Sequence, residues 1–284
     1  MKEVKLVRKV KLLLKRARMP RWLHHYGPKK YEFYQHCLAL LVRELCKLSY
    51  RKAVALLEGL GVTTPSYSAL AKMVKRIPLK LWNALFAATV NFKTTLIAAI
   101  DGTYFSRHNA SFHYLKRTKQ GLPLKKAVEC IALLDTRRKK WLSFKIRLKR
   151  RHESKDFKPV VDRSVVPFGI IVADKASDSE EIHKHCRKKH IEPHIPPRRN
   201  VSKGMQRKKH LESFRTRTYH RRSMVEAAFG RLKRTQGGFV KNRLCRTIKA
   251  ELSLRFVNDN LNLLKALTRL FQQSRLTKLP LKGS

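Results

Sequence analysis

Residues 95–103 read TLIAAIDGT, a short apolar run that passes without a spacer into Asp101, Gly102 and Thr103. Its length and β-branched start predict a buried strand. The chain has 66 Lys and Arg against only 19 Asp and Glu. With acids so scarce, a carboxylate closing an apolar strand is not explained by solubility. Residues 168–174, FGIIVAD, repeat the pattern and end in Asp174.

Working outward, 127–134 (AVECIALL) predicts a second strand, DTRRKK a turn, and 141–148 a third strand, on which Leu142, Phe144, Ile146 and Leu148 alternate. A crossover helix is expected over 153–161, with His152 and Asp156 at its start. Asp178 and Glu181 form the pattern of a capping box for a helix reaching about Lys189. A brief strand over 191–195 and a basic loop over 200–218 lead to a helix at 219–235, and a last amphipathic helix spans 247–271. A three-strand meander followed by alternating helices and strands is a mixed α/β sheet.

Upstream, over 30–93, the period is helical. Tyr34, Leu38, Leu41 and Leu45 recur at 4, 3 and 4. Ser49 is placed to cap a second helix that Gly61 ends, and Ser66 a third, bearing Leu70, Val74 and Ile77, that Pro78 stops. The third helix presents Tyr67, Ser68, Lys72, Lys75 and Arg76 on its surface. Two short helices joined this way fit a DNA-reading helix-turn-helix, and a plain supporting bundle has the same pattern.

Composition narrows the partners. A net charge of +47 on 284 residues that are 43% apolar describes a folded protein whose self-repulsion calls for a polyanion, nucleic acid first. No apolar run reaches the ~18 residues of a membrane span. Basic residues threaded through the apolar ones at the start of 1–28 leave no clean apolar segment of the signal-peptide kind, so the expected place is the cytoplasm, at the nucleoid, with no membrane partner. Five cysteines, at 37, 46, 130, 186 and 245, with no C-x-x-C, are expected to be reduced and mostly buried. The cluster around His183, His185, Cys186, His190 and His194 lacks the paired spacing of a zinc site.

Residues 219–233, YHRRSMVEAAFGRLK, hold the most specific pattern. On a helix at about 100° per residue, Tyr219, Arg222, Glu226 and Lys233 share one narrow face, with Val225, Phe229 and Leu232 on an apolar stripe beside it. Asp101, Asp174 and Glu226 are three hard oxygen ligands that one sheet can bring together outside its strand ends. Such a set suits Mg²⁺ or Mn²⁺, and two ions about 3.5–4 Å apart clamp the oxygens of a phosphoryl transfer.

D-G-T after a first strand, V-A-D-K-x-x-D-S after a later one and Y-x2-R-x3-E-x6-K in a helix resemble the DDE transposases of bacterial and archaeal insertion sequences. The resemblance covers roughly 95–270, and the helical region before it is similar to their DNA-binding region. It implies a ribonuclease-H-like fold, a catalytic and metal-binding triad of Asp101, Asp174 and Glu226, two Mg²⁺ or Mn²⁺ ions, and DNA cleavage followed by strand transfer. By position, Tyr219, Arg222 and Lys233 become DNA-binding residues. The implied partners are double-stranded DNA, both element ends and target, and a second copy of the chain in a homodimer at least on DNA. The implied organisation is a basic arm (1–28), a helical DNA-binding domain (29–94), a catalytic domain (95–271) and a basic tail (272–284). Residues 175–225 leave no room for the large inserted β domain that some relatives carry. A nuclease of the same fold that never transfers, and a binding protein without catalysis, share these sequence features.

Overall fold

The computed structural model describes residues 5–23, 29–107, 127–148, 154–198 and 204–262. Residues 1–4 and 24–28 of the expected arm, His152, the end of the expected last helix and the tail lie outside the described residues. In chain order the elements begin with five helices: α1 (Lys5–Arg16), α2 (Phe33–Leu45), α3 (Tyr50–Gly59), α4 (Tyr67–Arg76) and α5 (Leu79–Ala87). Then come β1 (Thr95–Arg107), β2 (Val128–Asp135), β3 (Lys140–Arg147), α6 (Ser154–Asp162), β4 (Phe168–Val172), α7 (Glu180–Lys188), β5 (Glu192–His194) and α8 (Met205–Glu212). One α-turn (Thr216–Tyr219) and a 3₁₀ turn (His220–Arg222) precede α9 (Ser223–Gln236), β6 (Phe239–Val240) and α10 (Cys245–Leu261). They form two compact units, one within Met1–Thr89 and Leu244–Ser284 and the other Val90–Arg243.

In the helical unit α2 is the centre. Phe33 and every residue from Gln35 to Leu45 are buried, more than the single apolar stripe read from Tyr34, Leu38, Leu41 and Leu45. A helix apolar nearly all round belongs inside a bundle, and α2 packs against α1, α3, α4 and α10. Ser49 caps α3 by accepting from Lys52 N at 3.2 Å, and Gly61 follows with φ at 72°. Ser66 caps α4 by accepting from Ala69 N at 3.3 Å. Leu70, Val74 and Ile77 turn inward, leaving Tyr67, Ser68, Lys72, Lys75 and Arg76 exposed.

The last helix differs from expectation in extent and company. Asn262 takes a left-handed backbone (φ 50°) and closes α10 at Leu261 rather than near 271. α10 packs with α2 and α5 in the helical unit, although the sequence reading groups it with the sheet. Asn258 Nδ2 donates to Leu41 O at 3.0 Å and Asn260 Nδ2 to Thr89 Oγ1 at 2.8 Å. Buried Arg255 meets Glu251 Oε1 at 2.5 Å and Glu44 Oε2 at 3.8 Å, and Arg43 pairs with Glu44 while lying 4.0 Å from the Tyr50 ring centre.

The second unit is a mixed sheet in the order β3-β2-β1-β4-β5, with β6 beside the far end of β1. β1–β2 and β2–β3 are antiparallel, β1–β4 and β4–β5 parallel. One face, with Ile100, Leu133 and Ile171, packs against Phe157 and Val160 of α6 and Ile182 of α7. The opposite face receives α9, whose Phe229 ring lies 4.8 Å from Trp141. Side chains alternate between these faces, so the parity of each strand residue decides which helix it meets. All five cysteines are free, and burial pushes Cys37 and Cys186 up to about 12. Among the described residues no helix is long and apolar enough to cross a membrane.

Candidate active site

The expected strand end at Asp101 is not an end. β1 continues to Arg107, paired with β2 as far as Phe105 and then with β6, and what stops near Asp101 is the pairing with β4. The last β1–β4 partners are Ala99 and Val172, so two residues further along each chain stand Asp101 and Asp174, on the face that α9 covers. Asp174 follows the end of β4 in extended backbone, and its Oδ1 accepts from Ser177 Oγ at 3.3 Å.

Glu226 and Arg222 bring α9 to this point. Arg222 Nη1 is 3.5 Å from Asp101 Oδ1, and its Nη2 donates to Glu226 Oε1 one turn away. Burial raises the Asp101 pKa above the ordinary aspartate value. Gly102 N–H and Arg222 work against that rise, and Glu226 and Asp174 add to it. Burial disfavours the Arg222 charge, yet Asp101, Glu226, Tyr219 and Asp174 together hold that guanidinium above its usual pKa. The three carboxylates therefore share one electrostatic neighbourhood around a half-buried cation.

The single helix expected over 219–235 is interrupted. Tyr219 ends an α-turn, 220–222 is 3₁₀, and α9 begins at Ser223, which changes the angular phase before Glu226. Tyr219 belongs to a row of rings, 5.8 Å from Phe214, which is itself 6.0 Å from His194. Lys233 points away from the carboxylates. Its Nζ sits 5.5 Å from the centre of the buried Phe105 ring, and burial lowers its pKa against the opposing influence of Cys130. The structure thus gathers Asp101, Asp174, Arg222 and Glu226, with Lys233 further along β1. The five α4 residues belong to the helical unit.

Sequence reasoning missed Asp178. It is not a cap: Ser179 caps α7 by accepting from Ile182 N at 3.3 Å, and the exposed Glu181 pairs with Lys158 at 3.0 Å. Asp178 is buried and accepts from Arg207 Nε at 2.9 Å, from Arg207 Nη2, from Arg198 N at 2.9 Å and from His183 Nε2 at 3.0 Å. Burial alone would raise its pKa, but these donors lower it overall. Arg198 also donates to Lys175 O at 3.1 Å and to Ala176 O, which ties down the turn after Asp174. His183 Nδ1 lies 2.7 Å from His210 Nδ1, fastening α8 to α7. Arg207 is the partner no local pattern names, since it lies far along the chain on α8, a helix where the sequence reads as a basic loop.

The remaining acids fall elsewhere. Asp135 is buried in its turn, accepting from Arg137 N at 2.9 Å and pairing with Arg138 at 3.2 Å. Asp156 is buried between Lys145, at 2.9 Å, and Arg147, on the α6 side of the sheet. His183 and His185 diverge, His185 meeting Asp162 at 3.1 Å.

Among the described residues, no three His, Cys, Asp or Glu side chains are gathered closely enough to hold one metal ion. Among the expected ligands the Arg222 guanidinium pairs with two of the carboxylates, Asp101 and Glu226. Carboxylate oxygens are donors of the kind Mg²⁺ takes, and in this arrangement it is Arg222 that they hold.

Comparison with known proteins agrees with this geometry. Residues 93–261 match the family model of the transposase DDE domain. Among solved structures, the chain is similar to a piggyBac transposase in a synaptic complex with hairpin DNA, studied by cryo-electron microscopy. That match has a TM-score of 0.51 and 11% sequence identity, and covers 98% of this chain and 80% of that one. At such identity the likeness speaks to the fold, which is ribonuclease-H-like. No curated protein sequence matches the chain. With the family model spanning well over half of its length, this chain belongs to the transposase DDE-domain family.

Proposed function

We propose that this protein cuts DNA at the ends of its own mobile element and joins those ends to target DNA. The observation that supports this most is Arg222 drawn between Asp101 and Glu226, with Asp174 adding to its field. A half-buried cation there offsets the repulsion of three acids until substrate and metal arrive.

In this reading Asp101, Asp174 and Glu226 hold Mg²⁺ or Mn²⁺, two ions in all. Bound there, the ions polarise and neutralise the oxygens of an in-line displacement at phosphorus. Arg222 exchanges its carboxylate partners for phosphate oxygens, which its planar fork matches. Lys233 meets a phosphate further along β1, and Tyr219 stacks on a nucleotide near the cut. Water attacks one phosphodiester, forming one P–O bond and breaking another to leave a 3′-hydroxyl. That hydroxyl then attacks a phosphodiester of the target, again exchanging one P–O bond for another.

The helical region, 29–94, selects the element ends through Tyr67, Ser68, Lys72, Lys75 and Arg76, all exposed on α4. Handling two ends together requires a homodimer at least on DNA, and the work is done in the cytoplasm at the nucleoid. The test is incubation of a plasmid carrying the gene and its natural flanks, with Mg²⁺ or with chelator. Metal-dependent cuts at the element ends together with joined products are expected. Cuts without joining would make the protein a nuclease, and binding without cuts would remove the catalytic reading.

A further inference from the structure

The geometry points to a second DNA-strand subsite, a basic cleft of about 330 Å³ at the start of β1, lined by Thr95, Leu96, Thr136, Arg137, Arg138 and Arg221. The DTRRKK turn, an ordinary hairpin turn by its sequence, supplies two of its three arginines.

The charges in this cleft do not cancel. Among the described residues no acid lines it, and Asp135, wholly buried next to Thr136, has both oxygens engaged, Oδ1 by Arg137 N at 2.9 Å and Oδ2 by the Arg138 side chain at 3.2 Å. Arg138 is further fixed over the Phe92 ring at 4.2 Å. The Arg137 and Arg221 side chains are exposed and make no ion pair among the described residues. Two unpaired guanidinium groups beside an oriented third are a receptor for phosphates. Leu96 decides which kind. It is 68% exposed, a large apolar side chain left in water within a ring of cations. A small inorganic anion leaves that surface wet, whereas a phosphodiester strand brings phosphates for the arginines and sugar faces for the leucine.

Position links the cleft to the carboxylates. Leu96 lies five residues before Asp101 on β1, about 16 Å at the usual rise of a strand. That distance is a few nucleotides along one DNA strand. The odd spacing turns the Leu96 side chain to the other face, so the link between the two runs through Arg221 at the end of the sheet. Arg221, lining the cleft, is followed by Arg222, which touches Asp101. A DNA strand leaving the triad would therefore be held by Arg221, Arg137 and Arg138 several nucleotides from the cut. The inference rests on the proposed function for the identity of the strand.

The test compares Arg137→Ala/Arg221→Ala with the native chain and with Arg163→Ala, another exposed arginine of the same unit outside the cleft. Affinity for one duplex of fixed sequence is measured across salt, with thermal melting to show that all three proteins fold alike. Each lost phosphate contact lowers the slope of log K against log salt by roughly 0.9. The double variant is expected to lose about 1.8 and the Arg163 variant nothing. A second variant, Leu96→Asn, changes no charge and is expected to weaken binding. Equal losses in the double and Arg163 variants, or unchanged binding by Leu96→Asn, would overturn the subsite. Cutting by the native chain judges the proposed function separately, so the two can fail independently.

Discussion

Arg222 stands between Asp101 and Glu226, 3.5 Å from the first and hydrogen-bonded to the second. Its replacement by Ala leaves three carboxylates repelling one another and removes a phosphate ligand. Cutting is expected to fall by about 10²-fold or more, the usual effect of losing one preorganised group aimed at developing charge. Affinity for the same DNA should fall far less. Parallel cleavage and binding titrations decide it, and matching losses in both would contradict a role in the reaction.

Asp101 gives the site a pH dependence with a defined sign. Burial raises its folded-state pKa above the unfolded value, so ionising it opposes folding. The contribution of this group to stability is complete below the unfolded pKa of about 3.9 and is lost as pH rises through the higher folded value. Asp101→Asn should therefore melt higher than the native protein at neutral pH while losing cutting. Melting of the metal-free native and Asp101→Asn proteins across pH checks this, and equal melting temperatures at neutral pH would contradict it.

Asp178 has the opposite sign. Its pKa is lowered despite burial, so the stability it supplies is present above about 3.9 and is lost as pH falls through its lower folded value. Asp178→Asn keeps the shape but leaves Arg207 and His183 without their anion. Breaking one partner of a buried pair costs about 3–5 kcal/mol, which denaturant unfolding would register. His183 and His210 both have pKa values lowered by burial. Their contribution is complete above about 6.5 and weakens below it. Hydrogen-exchange protection over α8, taken against the intrinsic rate at each pH, should fall in that lower range.

Lys72 and Arg76 are exposed on α4. Replacing both by Ala is expected to reduce the salt slope for binding element-end DNA by about 1.8. It should also erode the preference for those ends over random duplex. A fragment beginning at residue 95 that selects the ends as well as the full chain would remove α4 from recognition.

Much of this was legible in the chain. TLIAAI and FGIIV are continuous apolar runs with no helical period, and a buried strand is their simplest home. The meander and the later crossovers followed from the order of such runs. Strand pairing was not legible. Asp101 lies within β1 because β2 keeps pairing with it after β4 departs, and no local pattern records that. α10 was visible as a helix, but an apolar face does not name its partner, and Asn258 and Asn260 tie it to the helical unit. The Asp178 carboxylate matched a capping pattern, yet long-range donors from Arg198 and Arg207 claimed it. At the site the four residues of Y-x2-R-x3-E-x6-K were found by spacing. A 3₁₀ turn before α9 and the burial of Lys233 against Phe105 then separated that row into two places along β1.

The central claim is that Asp101, Asp174 and Glu226 perform metal-dependent chemistry on DNA. Glu226 is half-exposed at its side chain, so Glu226→Gln changes its charge with little demand on the fold. The most direct measurement is cleavage of the flanked plasmid by native and Glu226→Gln proteins in Mg²⁺, with DNA affinity measured on the same preparations. The account predicts cuts at the element ends by the native protein, none by the variant, and nearly equal affinities. Cutting by the variant at the native rate, or loss of DNA binding in step with loss of cutting, would contradict it.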